Sequence, residues 1–249
     1  MDSYRSQHIV PRCYLRPFLS PGIVYSSGSQ YLKRVHSPKN VASSDWFYSA
    51  AGDASAYSLD RVNSFIEDNA SGALREIRMS QTALSEGSKR VLSYFIANLY
   101  LRSPSTFQSI GLSVLEATED IQKKMEELQE LLAAGKGPPP RLRFERPGRT
   151  SWVGTPEEHK RRLESLREQV KSGKPLMHEA MASTLVVGQA ISRMTWVLAS
   201  TPSGSFFLTS SDPVALTHLN GSVIGVGWES TTALATLPLS PQRCLVMLN

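Results

Sequence analysis

The order of apolar patterns along the chain predicts an α+β protein. Helical periodicity fills the middle of the sequence, and short β-rich runs crowd into its last fifth. Strand and helix signals do not alternate, and no internal repeat is present, which argues against an α/β fold. The expected architecture is an N-terminal motif and a central helical bundle with an inserted helical hairpin, packed on a small C-terminal antiparallel sheet. Residues 1–249 form one α+β domain in this reading, and 135–172 form a basic helical-hairpin insertion within it.

The elements follow in order. His8 to Phe18 is a compact stretch in which Pro11 suits the first turn of a short helix and Pro17 ends it. Residues 21–57 are rich in Gly, Ser, Tyr and Val, which predicts short strands and turns, with a hairpin around Val24 and Tyr31. A helix starts near Ser58 and places Leu59, Val62, Ile66, Ala70, Ala73 and Ile77 on one stripe. A second runs from Ser88 to Arg102, with Ser85 able to cap its start and Pro104 just past its end. A third spans Ser105 to Ala134, with Ile110, Leu115, Ile121, Met125, Leu128 and Leu132 on its apolar side.

Gly135 to Pro140 breaks that helix, and a basic loop continues to Gly154. Pro156 to Val170 is a charged helix with a narrow seam of Leu163, Leu166 and Val170. Pro175 opens a further helix, apolar through Ile191. From Trp196 the period changes. TWVLAS, SFFLTS, SVIGVGW, TTALATL and RCLVML read as strands separated by turns.

Bulk properties exclude several function classes. A chain of 249 residues can bury a core without disulfides or a structural metal. Cys13 and Cys244 lie near opposite ends with no ligand spacing, so no metal and no cofactor is expected. The N-terminus has no secretory pattern, and Gln189 and Arg193 interrupt the longest apolar run, Ala180 to Ala199. A soluble, cytoplasmic protein without a membrane span is the expectation. No P-loop, dinucleotide fingerprint or nucleophile elbow is present. The net charge of +5 resides in one segment: Lys136–Lys174 holds eleven basic and five acidic residues, a local +6.

Six segments form a set: His8-Ile9-Val10-Pro11 with Tyr14-Leu15-Arg16 and Phe18, then Phe47-Tyr48, Ile66-Glu67 and Arg102-Ser103-Pro104, and finally Thr209-Ser210-Ser211-Asp212-Pro213-Val214 and Pro238-Leu239-Ser240-Pro241. In this order they resemble the family known as domain of unknown function 4238. The resemblance covers nearly the whole chain and implies an HxxP motif as the family's mark. The family turn usually places Asp two residues before Pro; here that position is Ser211, and the acid is Asp212. The resemblance implies no reaction.

Candidate site residues emerge from helical geometry. Val91, Leu99 and Arg102 all fall within about 40° of Phe95 on the second helix, so Arg102 points along its apolar stripe. A buried guanidinium needs an anionic partner, and Glu67 at the edge of the first helix's stripe can supply it. A solvated Arg102 at the helix C-terminus is the alternative. His8 on its short turn could serve as acid or base, or simply hydrogen-bond the turn. Arg16 could bind an anion or pair with a surface carboxylate. His178 on an apolar helix is a core histidine in this reading.

Two function classes follow. In the first, His8, Glu67, Arg102 and Asp212 are catalytic, and Arg16, Tyr14 and Ser211 bind substrate. The protein is then a hydrolase of a nucleotide or phosphodiester-type anionic substrate. In the second, it is a non-catalytic module that binds nucleic acid or protein through 136–174, where Trp152 and Phe144 are the stacking aromatics. An anionic small molecule or a nucleic acid is the expected partner.

Overall fold

The computed structural model describes residues 6–18, 24–28, 31–36, 43–45, 54–79, 84–134, 144–146 and 149–152, single helical residues between 158 and 168, and residues 183–223 and 226–249. They form two compact units, one of residues 1–107 with 177–249, the other of residues 108–176.

The first unit is built on a four-stranded antiparallel sheet. β7 (Thr195–Ser200), β8 (Ala215–His218), β9 (Ala233–Ser240) and β10 (Arg243–Leu248) lie in the order β7-β10-β9-β8. Along β9, Ala233, Ala235, Leu237 and Leu239 are buried and alternate with half-buried residues, as a strand with one core face requires. A register shift sits where β10 passes from Arg243, opposite Ser240, to Cys244, opposite Pro238. Leu239 is therefore the extra residue of a bulge beside a proline that cannot donate to the ladder.

Three helices complete the core: α2 (Ala54–Met79), α3 (Glu86–Leu101) and, after α4 (Pro104–Ala133), α5 (Thr184–Arg193). The buried line on α2 is Leu59, Asn63, Ala70, Ala73, Leu74 and Ile77. Leu59, Ala70, Ala73 and Ile77 are on it as expected, but Val62 is exposed and the neighbouring polar Asn63 is buried in its place. Ser85 caps α3 by accepting from the Ser88 amide at 3.2 Å. Phe95, Ile96 and Leu99 bury the α3 face. Gly188 on α5 lies against the Tyr94 ring, whose Cε1 would be 2.8 Å from an added Cβ, so a side chain there would push the helices apart.

Short elements precede the helices. β1 (Ser6–His8) pairs with β4 (Ser43–Asp45), and α1 (Arg12–Leu15) runs into a 3-10 turn at Arg16–Phe18. β2 (Val24–Gly28) and β3 (Tyr31–His36) form the expected hairpin.

Two of the expected strands are not strands. In residues 205–210 the Phe207 N–H donates at 2.7 Å to the Pro241 carbonyl, in the turn between β9 and β10, and Phe206 and Leu208 are exposed. Described residues of 222–228 are also irregular. The strand between them, Ala215–His218, was obscured by the turn residues around Pro213 and Gly221. Gly221 has φ +83° and closes that strand's turn, a conformation glycine adopts without strain.

In the unit of residues 108–176, the expected basic loop contains β5 (Phe144–Arg146) and β6 (Arg149–Trp152), with Phe144 opposite Trp152. β-favouring Phe144, Thr150 and Trp152 flank Pro147-Gly148, a pair typical of turns. Described residues from Glu158 to Glu168 are helical. Arg167 reaches Glu119 of α4 at 3.0 Å. The side chains expected on the apolar side of α4, Leu115 excepted, lie outside the described residues, as do Pro175 and His178. Among the described residues, no helix is long and apolar enough to cross a membrane.

Candidate functional site

α2 and α3 meet across four polar side chains spaced one helical turn apart on each helix. Asn98 Nδ2 donates to Asn63 Oδ1 at 2.9 Å, and Arg102 Nη1 donates to Glu67 Oε1 at 2.8 Å. Arg102 is 0% exposed and Asn98 1%. The Glu67 side chain keeps 25% of its surface. A guanidinium so deep in an apolar interface is tolerable only with an anionic or hydrogen-bonding environment. Glu67 provides the charge, and its second oxygen, Oε2, makes no hydrogen bond among the described residues.

The segment carrying His8 is docked beside this cluster. The Pro11 carbonyl accepts from the Tyr14 and Leu15 amides at 3.1 and 3.0 Å, which forms α1. Cys13 is half-buried and close enough to feel Glu67, Arg102 and Arg78. Burial pushes its thiol upward from the ordinary value, the Glu67 charge adds to the rise, and the two arginines oppose it. The protonated thiol is favoured, which disfavours a cysteine nucleophile.

Tyr14 is fully buried and tied to the sheet. Its hydroxyl donates to the Pro238 carbonyl at 2.6 Å and lies 2.9 Å from Thr209 Oγ1. Burial drives its phenol well above the ordinary range, with the Thr209 contact and Arg78 pulling the other way. Expected to bind substrate, this hydroxyl is instead committed inside the fold. Arg78, absent from the expected residues, donates from Nε to the Leu239 carbonyl at 2.9 Å and from Nη2 to the Tyr14 carbonyl at 3.0 Å.

Asp212 has a local task. Its Oδ1 accepts from the Ser105 amide at 3.2 Å and the Ser105 hydroxyl at 2.7 Å. The carboxylate thus sits on the first turn of α4, where free amides favour negative charge. Ser103 caps the same helix by accepting from the Thr106 amide at 3.3 Å. Ser211 is exposed, and its hydroxyl lies 3.3 Å from Asp212 Oδ2. The displaced acid of the turn is therefore a helix cap, and the catalytic role expected of Asp212 has no support in its contacts.

The structure brings Glu67 and Arg102 together and sets Cys13 beside them. His8 is half-buried on β1, opposite Ser43. Arg16 is exposed on the 3-10 turn. Asn63, Asn98 and Arg78 were missed as site residues. Asn63 precedes Glu67 by one turn and Asn98 precedes Arg102 by one turn, a repeated spacing of polar residues on apolar stripes that was available in the sequence. Among the described residues, no group of three His, Cys, Asp or Glu side chains could hold a metal ion. A groove of about 700 Å³ elsewhere in this unit is lined by Ile77, Leu84, Lys89, Met194, Trp196 and Leu198, none of which belongs to the polar cluster.

Fold and site together define an α+β protein with a buried arginine–carboxylate centre between two helices. The chain belongs to the family described as "Protein of unknown function (DUF4238)", which matches residues 6–249. No curated protein and no solved structure matches it.

Proposed function

We propose that the protein is a hydrolase of a nucleotide or phosphodiester-type anionic substrate, with Glu67 as its acid–base group. The observation that supports this reading is the asymmetry of the Glu67 carboxylate. Oε1 is tethered to the buried Arg102, while Oε2 makes no hydrogen bond among the described residues, on a side chain that retains a quarter of its surface. Such a tether holds one oxygen in a fixed direction, which acid–base catalysis requires.

In the proposed reaction Glu67 takes a proton from water, and the water oxygen forms a bond to phosphorus. The bond from phosphorus to the leaving oxygen breaks, and His8 returns a proton to that oxygen. Arg102, wholly buried, is a positioning residue here and does not touch substrate. Arg16 on the exposed turn offers its guanidinium to the phosphate.

The alternative, binding of nucleic acid or protein through 136–174, has weaker support. The unit of residues 108–176 contains thirteen basic and eleven acidic residues, and Arg167 is paired with Glu119. Much of the basic charge is therefore compensated within the unit.

The test is turnover of bis(p-nitrophenyl) phosphate and of cyclic mononucleotides by the wild-type protein, Glu67→Gln and His8→Ala. A fall in kcat of about 100-fold or more is expected for Glu67→Gln. A folded Glu67→Gln protein with the wild-type rate contradicts the reading, and so does a wild-type protein inactive on the whole panel.

A further inference from the structure

We infer that Arg78 is a positioning residue: its guanidinium docks the N-terminal segment onto the sheet and sets where that segment lies against Glu67 and Arg102. The inference begins at the bulge in β9. Because Leu239 is skipped in the pairing with β10, and β8 pairs only as far along β9 as Thr236, the Leu239 carbonyl lies outside the ladder. Arg78 Nε donates to it at 2.9 Å. The other two nitrogens of the same planar group reach back to α1, Nη1 to the Cys13 carbonyl at 3.3 Å and Nη2 to the Tyr14 carbonyl at 3.0 Å.

Those two carbonyls belong to the last turn of a four-residue helix, which cannot satisfy them itself. One guanidinium therefore joins three parts of the unit: α2, which carries it, the N-terminal segment and the sheet. Three donors at fixed angles are needed, and a lysine ammonium cannot reproduce that fork. Among the described residues the hydrogen-bond partners of Arg78 are backbone carbonyls, and no ion pair takes up its charge. Tyr14 adds a second tie on the neighbouring carbonyl, that of Pro238.

Cys13 supplies one of the tied carbonyls, and its thiol reports on docking without any substrate. The two ways Arg78 could act on it have opposite signs. In a segment that stays docked, removing the Arg78 charge raises the thiol further and slows alkylation, since Arg78 now lowers it. In a segment that undocks, burial is relieved, the thiol returns toward its ordinary value and alkylation quickens.

The experiment is iodoacetamide labelling of the full chain across pH 7–10, read peptide by peptide, with buried Cys244 as internal control. Variants are Arg78→Met, Arg78→Lys and Tyr14→Phe. Arg78→Met is expected to quicken Cys13 labelling about tenfold or more and to lower its pH midpoint toward the ordinary value of a thiol. Arg78→Lys should give a smaller change of the same sign, and Cys244 should stay protected in all three. Cys13 labelling that slows or stays unchanged in Arg78→Met overturns the inference. So does equal exposure of Cys244 in both Arg78→Met and Tyr14→Phe, which would mean that the segment does not move separately from the core. None of these outcomes depends on turnover, so this inference and the hydrolase reading fail separately.

Discussion

Two arginine–glutamate pairs, Arg102–Glu67 in the first unit and Arg167–Glu119 in the second, look alike by distance and differ in burial. Arg102 and Glu67 meet at 2.8 Å with side chains 1% and 25% exposed, whereas Arg167 and Glu119 meet at 3.0 Å at 44% and 45%. Solvent screens the second pair and hydrates each partner when the other is lost. In the first, Glu67 keeps a quarter of its surface but Arg102 has no such refuge. Arg102 is wholly buried, and removing its contacts strands a charge or opens a hole. Contact distance therefore says little about what a charged pair contributes; its surroundings decide.

The largest effect expected from this contrast is for Arg102→Met. It deletes the inner partner and should lower stability by about 3–5 kcal/mol, measured from the shift in urea midpoint. Next comes Tyr14→Phe, which removes a buried hydroxyl and should cost about 1–2 kcal/mol at neutral pH. The same variant carries a pH signature. The folded-state phenol is raised above its unfolded value of 10.0, so its stabilisation is complete below that pH and is lost as the pH rises. Cys13 and Cys244, also raised by burial, act in the same direction from 9.0. Wild-type stability should thus decline above about pH 9, and in Tyr14→Phe the part of the decline above pH 10 should be shallower. The smallest effect is for Arg167→Ala, expected to cost below about 1 kcal/mol and to lose even that in high salt. A cost for Arg167→Ala equal to that for Arg102→Met would break the comparison.

How much of this was legible in the sequence depends on the kind of interaction. The α+β class, the helix at 86–101 with its Ser85 cap and the hairpin around Val24 and Tyr31 follow from periodicity and local chemistry. The Glu67–Arg102 contact was also legible, because Arg102 lies on the same helical stripe as Phe95 and Leu99. Arg78 was not. Its partners are backbone carbonyls, one freed by the bulge at Leu239 and two at the end of α1, and neither a bulge nor a carbonyl leaves a residue-type signal. The contacts of Asp212 were hidden for a related reason. An acid next to serines and a proline has the composition of a reactive turn, and only the position of Ser105 on α4 shows it to be a cap. Ala215–His218 was missed because turn residues on both sides hide a four-residue strand.

The central claim, that burial makes the α2–α3 charge centre a cooperative unit, is tested most directly by a double-mutant cycle in urea. The single variants are Glu67→Gln and Arg102→Met, with Glu119→Gln and Arg167→Met as the exposed counterpart. The expected coupling is about 2 kcal/mol or more for the buried pair and below about 0.5 kcal/mol for the exposed one. Equal couplings, or additive losses at Glu67 and Arg102, would contradict it.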